Sequence, residues 1–212
     1  MKNRDYKKFA PQTIWHVFNR GVGRMNVFVD IDDYYFFLRR MKEALYPETI
    51  NEAGRKYIPK KFPSDAFHLL LYCLMPNHFH LVVQQMTDLS IAELMSKVCT
   101  SYSMYFNKKY GRVGGVWQDQ FKAVMVESNE QLIYLAWYIH MNPIKAGLVK
   151  TLKKYPFSSY LDYVAERNGK LCDKNLILGQ FQTVEQFTQA MVGIDDSFVL
   201  AELKLDDDVF VV

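Results

Sequence analysis

Two apolar runs in close succession, His68–Met75 and His78–Gln84, constrain this chain more than any other feature. Each has the length of a strand, and only Pro76-Asn77 separates them. A two-residue break of that chemistry reads as a tight turn, so the runs form a β-hairpin. The second run opens with His78-Phe79-His80. Side chains alternate along a strand, which sends Phe79 to the core and turns both imidazoles to the other face. The rest of the strand, Leu81-Val82-Val83, offers no packing reason for two imidazoles on one side. At that spacing the pair is close enough to share one metal ion. The competing reading is two incidental polar positions on a solvated strand face.

The flanking elements set the fold. Ile14–Arg20 is β-branched and aromatic and stops at Gly21-Val22-Gly23, the pattern of a strand. Residues 31–45 have helical periodicity, opened by Asp30 or Asp32 and stopping near Pro47. Residues 47–66 are polar, lack a clear period and read as a long loop. After the hairpin, Asp88 or Ser90 opens a helix to about Tyr110, with Ile91, Leu94, Met95, Val98, Tyr102 and Tyr105 on one stripe. A basic, glycine-rich turn over 108–115 leads into a strand over 121–127. The order β-α-β-β-α-β predicts a ferredoxin-like α+β fold with an antiparallel sheet and both long helices on one face.

The other face is left for the histidine pair, covered by one more helix. Ser128-Asn-Glu-Gln131 reads as its capping box and Pro143 as its end. In that helix Tyr138 and Asn142 lie four residues apart and project from one side. A phenol and an amide oxygen one turn apart, with the imidazole pair, supply a nucleophile and three candidate metal ligands. Imidazole and carbonyl oxygen suit a divalent ion such as Mg²⁺ or Mn²⁺. Tyr134 is on the same stripe and is the rival phenol, and most of the 14 tyrosines are packing residues.

Four segments then occur in order: Trp15-His-Val-Phe-Asn-Arg-Gly21, Leu74-Met-Pro-Asn-His-Phe-His80, Val116-Trp-Gln-Asp-Gln-Phe-Lys-Ala123 and Tyr138-Ile-His-Met-Asn-Pro-Ile-Lys-Ala-Gly-Leu-Val149. Together, across residues 12–165, they resemble the single-tyrosine HUH transposases, and most closely the REP-associated tyrosine transposases. The resemblance implies that His78 and His80 bind the catalytic metal, that Tyr138 is the nucleophile and that Asn142 stands at the third ligand position. It implies a DNA transesterase that cleaves and rejoins single-stranded or hairpin DNA through a 5′-phosphotyrosine. Many relatives carry Gly-Arg where this chain has Asp119-Gln120, so one expected basic contact is missing. One nucleophile per chain means that two coordinated cleavages need either a homodimer or reuse of the same tyrosine. The alternative from a different class is a non-catalytic module for single-stranded nucleic acid, hairpin DNA or RNA. It predicts exposed aromatic residues on the central strands.

Charge separates along the chain. Residues 1–155 hold 22 Lys and Arg against 13 Asp and Glu, a net of +9, whereas residues 156–212 carry a net of −6. A basic body with an acidic tail points to a nucleic-acid face on the first part. Arg20, Arg24, Lys108, Lys109, Arg112 and Lys122 are the candidate phosphate contacts, and Trp117 is either a base-stacking platform or a core residue. His16 reads as a core residue or a support behind the histidine pair. His140, two positions from Tyr138, turns to the opposite side of its helix. The expected organisation is a transposase-like domain over 1–165 and a C-terminal extension over 166–212, with a short helix and an acidic tail. Cys73, Cys99 and Cys172 show no paired spacing, and no segment reads as a secretory signal or a membrane span. The expected setting is therefore cytoplasmic and DNA-associated, without a membrane partner.

Overall fold

Alternation along the strands sorts the core into two layers. The computed structural model describes residues 9–49 and 62–193. Strands β1 (Ile14–Arg20), β2 (Phe67–Met75), β3 (His78–Gln85) and β4 (Lys122–Val126) form one sheet in the order β2-β3-β1-β4. Every neighbouring pair is antiparallel. Trp15, Val17, Leu69, Tyr72, Leu74, Phe79, Leu81, Val83 and Ala123 join the layer of α1 (Ile31–Leu45) and α2 (Ile91–Tyr110). Phe18, Leu71, Cys73, Met75 and Val82 join the other layer, built by α3 (Asn129–Lys145) through Leu132, Leu135, Ala136 and Ile139. This is the ferredoxin-like α+β plan, with a helix added over the second face. Each large side chain so buried contributes about 1.5–3 kcal/mol.

The helix starts follow local hydrogen-bonding chemistry. Asp30 caps α1 by accepting from the amides of Asp32 and Asp33, and Asp33 returns a bond to the cap. Ser90 caps α2, which ends on Gly111 in the left-handed region. Ser128 accepts from the Gln131 amide at 3.1 Å, and the Gln131 side chain accepts from the Glu127 amide at 2.8 Å. Pro143 does not end α3 as its chemistry suggests. It lies inside the last turn, and the helix continues to Lys145. A missing N–H there costs one bond of the ladder, and the Pro143 carbonyl is taken up by the Leu148 amide at 2.9 Å.

One irregularity re-aims β2. The register jumps between Leu69 and Leu71, leaving Leu70 as the extra residue of a bulge. Two consecutive leucines, Leu70 and Leu71, therefore both serve the α3 layer. The bulged Leu70 carbonyl accepts from the Tyr163 hydroxyl at 2.9 Å. Around it, the segment after α3 runs along the outer edge of β2. The Leu74 amide donates to the Phe157 carbonyl, the Ser159 amide to the Tyr72 carbonyl and the Asp173 amide to the Leu69 carbonyl. The short helices α4 (Tyr160–Tyr163) and α5 (Asn175–Leu178), with α6 (Val184–Gly193), add Tyr160, Tyr163, Ile177, Phe187 and Met191 to the second layer. The acidic tail and most of the 47–66 loop lie outside the described residues. No helix among the described residues is long and apolar enough to cross a membrane.

Candidate active site

The hairpin turn is clamped to the end of β1. The Pro76 carbonyl accepts from the amides of Val27 and Phe28 at 2.8 and 2.9 Å, and the Asn77 carbonyl from the Gly21 amide at 2.8 Å. Gly21 can take no side chain, because a Cβ there would meet the Met25 carbonyl at 2.2 Å. The resulting register sets Arg20 opposite His78 and Phe18 opposite His80. His78, His80 and His16 share the face beneath α3, all three buried.

Each ring of the His78–His80 pair has its Nδ1 engaged. His78 Nδ1 donates to Asn77 Oδ1 at 2.5 Å, and His80 Nδ1 is 2.9 Å from His16 Nε2. Both Nε2 atoms are buried and have no hydrogen-bond partner among the described residues. The two ring centres are 5.0 Å apart and nearly perpendicular. Tyr138 packs edge-on against His80 with ring centres 5.5 Å apart. One turn on, Asn142 Nδ2 donates to the Tyr138 carbonyl at 2.8 Å. The Asn142 amide also hydrogen-bonds the Tyr138 hydroxyl. It lies near enough to His78 to favour protonation, yet closes no hydrogen bond on Nε2.

Burial dominates the electrostatics. It lowers the pKa of His78 to about 3, with Arg20 adding to the effect. His80 is also pushed well down, by burial first and then by His78, His16 and Arg20. Burial raises the Tyr138 phenol well above its ordinary range, opposed by the Asn142 bond and the Arg20 charge. A cleft of about 160 Å³ reaches His78 and His80 from outside, lined also by Phe18, Arg20, Arg24, Asp119 and Lys122. Three cations against one carboxylate give its lining a net positive charge. Tyr138 is not in its lining and is 1% exposed.

Of the candidate phosphate contacts, Arg20, Arg24 and Lys122 are therefore brought together at the histidine pair. Lys108, Lys109 and Arg112 are not in that lining. Lys109 is held by Asp30 and Asp33 at 2.6 and 2.8 Å, and Arg112 lies over the Phe106 ring. Trp117 is packed among Phe79 and Tyr102, with its indole N–H donating to the Cys99 carbonyl. His140 bonds Ser159 Oγ at 2.9 Å, away from the pair. Asp119 and Gln120 offer their carbonyls to the Asn19 amide group, fixing the entry to β4. Lys145 was not singled out by sequence reasoning. Its Nζ is 5.7 Å from the Tyr138 ring centre, a position that its spacing of seven residues, two helical turns, would have disclosed.

The donor set suits a divalent ion. Among the described residues no group of three His, Cys, Asp or Glu side chains is arranged to hold a metal ion, so the ligands that the site could offer are the two neutral imidazoles of His78 and His80 and the Asn142 amide. Two buried Nε2 atoms without partners are the feature that a metal would satisfy.

Comparison with known proteins places the chain in a family. The family model for IS200-like transposases matches residues 35–142, half of the chain. A putative REP-associated tyrosine transposase of Haemophilus influenzae is 27% identical over 143 residues, covering 59% of this chain and 78% of that protein. A solved structure of a REP-associated tyrosine transposase bound to a REP hairpin superposes with a TM-score of 0.58 at 16% identity, covering 82% of this chain and 94% of that one. The segment matched by the family model runs from Tyr35, inside α1, through Asn142 near the end of α3. The chain belongs to the IS200-like transposase family, a family of DNA-cleaving enzymes, and the relatives it resembles are of the REP-associated tyrosine type.

Proposed function

We propose that this protein cleaves and rejoins single-stranded or hairpin DNA through a 5′-phosphotyrosine on Tyr138, with a divalent metal ion held by His78, His80 and Asn142. The observation that carries the reading is the pair of buried, unpartnered Nε2 atoms beside a buried tyrosine. The solved relative is bound to a REP hairpin, which supports hairpin DNA as the partner here. When bound, Mg²⁺ or Mn²⁺ supplies positive charge to the phosphate and favours departure of the 3′-oxygen.

The residues of the chain do the rest. Arg20, Arg24 and Lys122 gather the phosphodiester at the mouth of the cleft. The Tyr138 oxygen attacks phosphorus, the P–O3′ bond breaks, and the 3′-hydroxyl is released. Asn142 and Arg20 favour the phenolate against the effect of burial. Attack by a 3′-hydroxyl on the phosphotyrosine reverses the step and frees the phenol, conserving the bond energy. Because the phenol is enclosed, DNA reaches it only as α3 or the cleft wall shifts. A duplex holds its phosphates in stacked geometry, whereas a single strand can present one in line. The binding-module reading is weaker: it needs exposed aromatics on the sheet, and that face is covered by α3.

The test is a denaturant-resistant adduct between protein and a hairpin oligonucleotide in Mn²⁺. Tyr138→Phe removes only a hydroxyl, so the adduct disappears while binding persists. Tyr134, one turn or about 5.4 Å further back, is the internal control, and Tyr134→Phe keeps the adduct. An adduct surviving in Tyr138→Phe places the nucleophile elsewhere.

A further inference from the structure

The two candidate metal-binding imidazoles are oriented by different kinds of partner. His78 Nδ1 faces an amide oxygen, Asn77 Oδ1, at 2.5 Å. An amide oxygen only accepts, so His78 must carry its proton on Nδ1, which leaves the Nε2 lone pair available. His80 Nδ1 faces another imidazole nitrogen, His16 Nε2, at 2.9 Å. That partner can either donate or accept, and the geometry of the bond alone does not fix the proton.

We propose that His16 is a positioning residue: by accepting the Nδ1 proton of His80 it holds that ring in the tautomer whose Nε2 can ligate a metal ion. The proposal rests on the metal site described above and names the residue that readies one half of it. His16 is 1% exposed, and its ring lies within van der Waals surroundings of Phe18 and Tyr138, with centres 4.8 and 6.4 Å away.

Two arrangements are open to the neutral pair, each ring keeping one proton. In the first, His16 Nε2–H donates to His80 Nδ1, and the His80 proton sits on Nε2, where it blocks ligation. In the second, His80 Nδ1–H donates to His16 Nε2, and the His16 proton sits on its own Nδ1. His16 Nδ1 and His80 Nε2 are both buried without partners among the described residues. Each arrangement therefore leaves one donor and one acceptor unsatisfied. An ion on His80 Nε2 satisfies the acceptor of the second arrangement and excludes the first. Loading the site thus fixes the His16 proton on Nδ1 without changing the number of protons bound. His16 must provide an acceptor, rather than bulk, for this to occur.

That distinction supplies the test. Gln at position 16 offers a carbonyl oxygen near the place of Nε2, whereas Phe keeps the ring volume and offers none. Mn²⁺ affinity, measured by calorimetry on the full chain without DNA, is expected to fall about tenfold or more in His16→Phe and to stay within about threefold in His16→Gln. Nitrogen-15 NMR of the unsubstituted protein in saturating Mg²⁺ should show both His80 and His16 protonated on Nδ1. Equal Mn²⁺ affinity in the unsubstituted, Phe and Gln proteins, or a His80 proton on Nε2 in the Mg²⁺ form, overturns the proposal. If the Phe variant does not fold, the Gln variant and the NMR assignment decide. His78→Ala separates the two levels. If it leaves Mn²⁺ affinity unchanged, the metal site itself is wrong. If it abolishes binding while His16→Phe does not weaken it, only the role of His16 falls.

Discussion

Four of the five histidines are buried, and burial keeps them neutral. His16, His78 and His140 are each lowered to about 3 by desolvation first, whereas the unfolded chain protonates near 6.5. The unfolded state therefore binds more protons between those values, so stability is complete above pH 6.5 and is lost as pH falls toward 3. At pH 5.5 each of the three costs on the order of 1 kcal/mol. Urea unfolding in a chelator at pH 7.5 and 5.5 checks this, and equal stabilities would contradict it. The pairing of His78 with His80 was legible in the sequence because strand alternation is rigid. The bond from His16 to His80 was not, since it depends on the register of β1 against β3, which no local pattern encodes. Asn77 was visible only as a turn residue, though its side chain orients His78.

The elements were read well where a cap or a period marks them, as in α1, α2 and the hairpin. They were read poorly where one interaction overrides local propensity. Pro143 continues α3 because its position in the last turn makes the lost bond cheap. The bulge at Leu70 is hidden in a run of three leucines, whose uniform chemistry conceals a change of face. Between α1 and α2, the fully buried Asp33 gathers Lys109, Tyr105 and Tyr110 together with the Val29 amide. Asp33→Ala strands these donors and should cost about 2–3 kcal/mol, read as a lower urea midpoint with an unchanged slope. Lys109 was a candidate phosphate contact on charge alone, and the structure spends it on this junction. Lys109→Ala should lower the melting temperature and leave hairpin-DNA affinity near that of the unsubstituted protein. A large loss of affinity at unchanged stability would return Lys109 to the DNA face.

Across the whole molecule, the basic bias of the first 155 residues is concentrated, at the candidate site, into the Arg20–Arg24–Lys122 cleft. Removing one phosphate contact from a single-strand site lowers the slope of log affinity against log salt by about 0.7. Lys122→Ala should show that reduction in titrations from 50 to 200 mM salt, values chosen to span a useful range of screening, and an unchanged slope would remove Lys122 from the DNA contacts. The second layer of the core has a wider meaning. Every motif that identifies the family ends by Val149, yet the outer edge of β2 is closed by Phe157, Ser159 and Asp173, and the layer around α3 is completed by Tyr163, Ile177, Phe187 and Met191. A chain cut after Lys150 would keep both histidines, Tyr138 and the cleft cations. It would also present a bare, leucine-rich strand edge, which invites pairing with other chains. Such a fragment should sediment with the insoluble material while the full chain stays in solution. In a genome, a copy shortened in this way would look intact to a search for its chemistry and would fail as a solute before it failed as a catalyst.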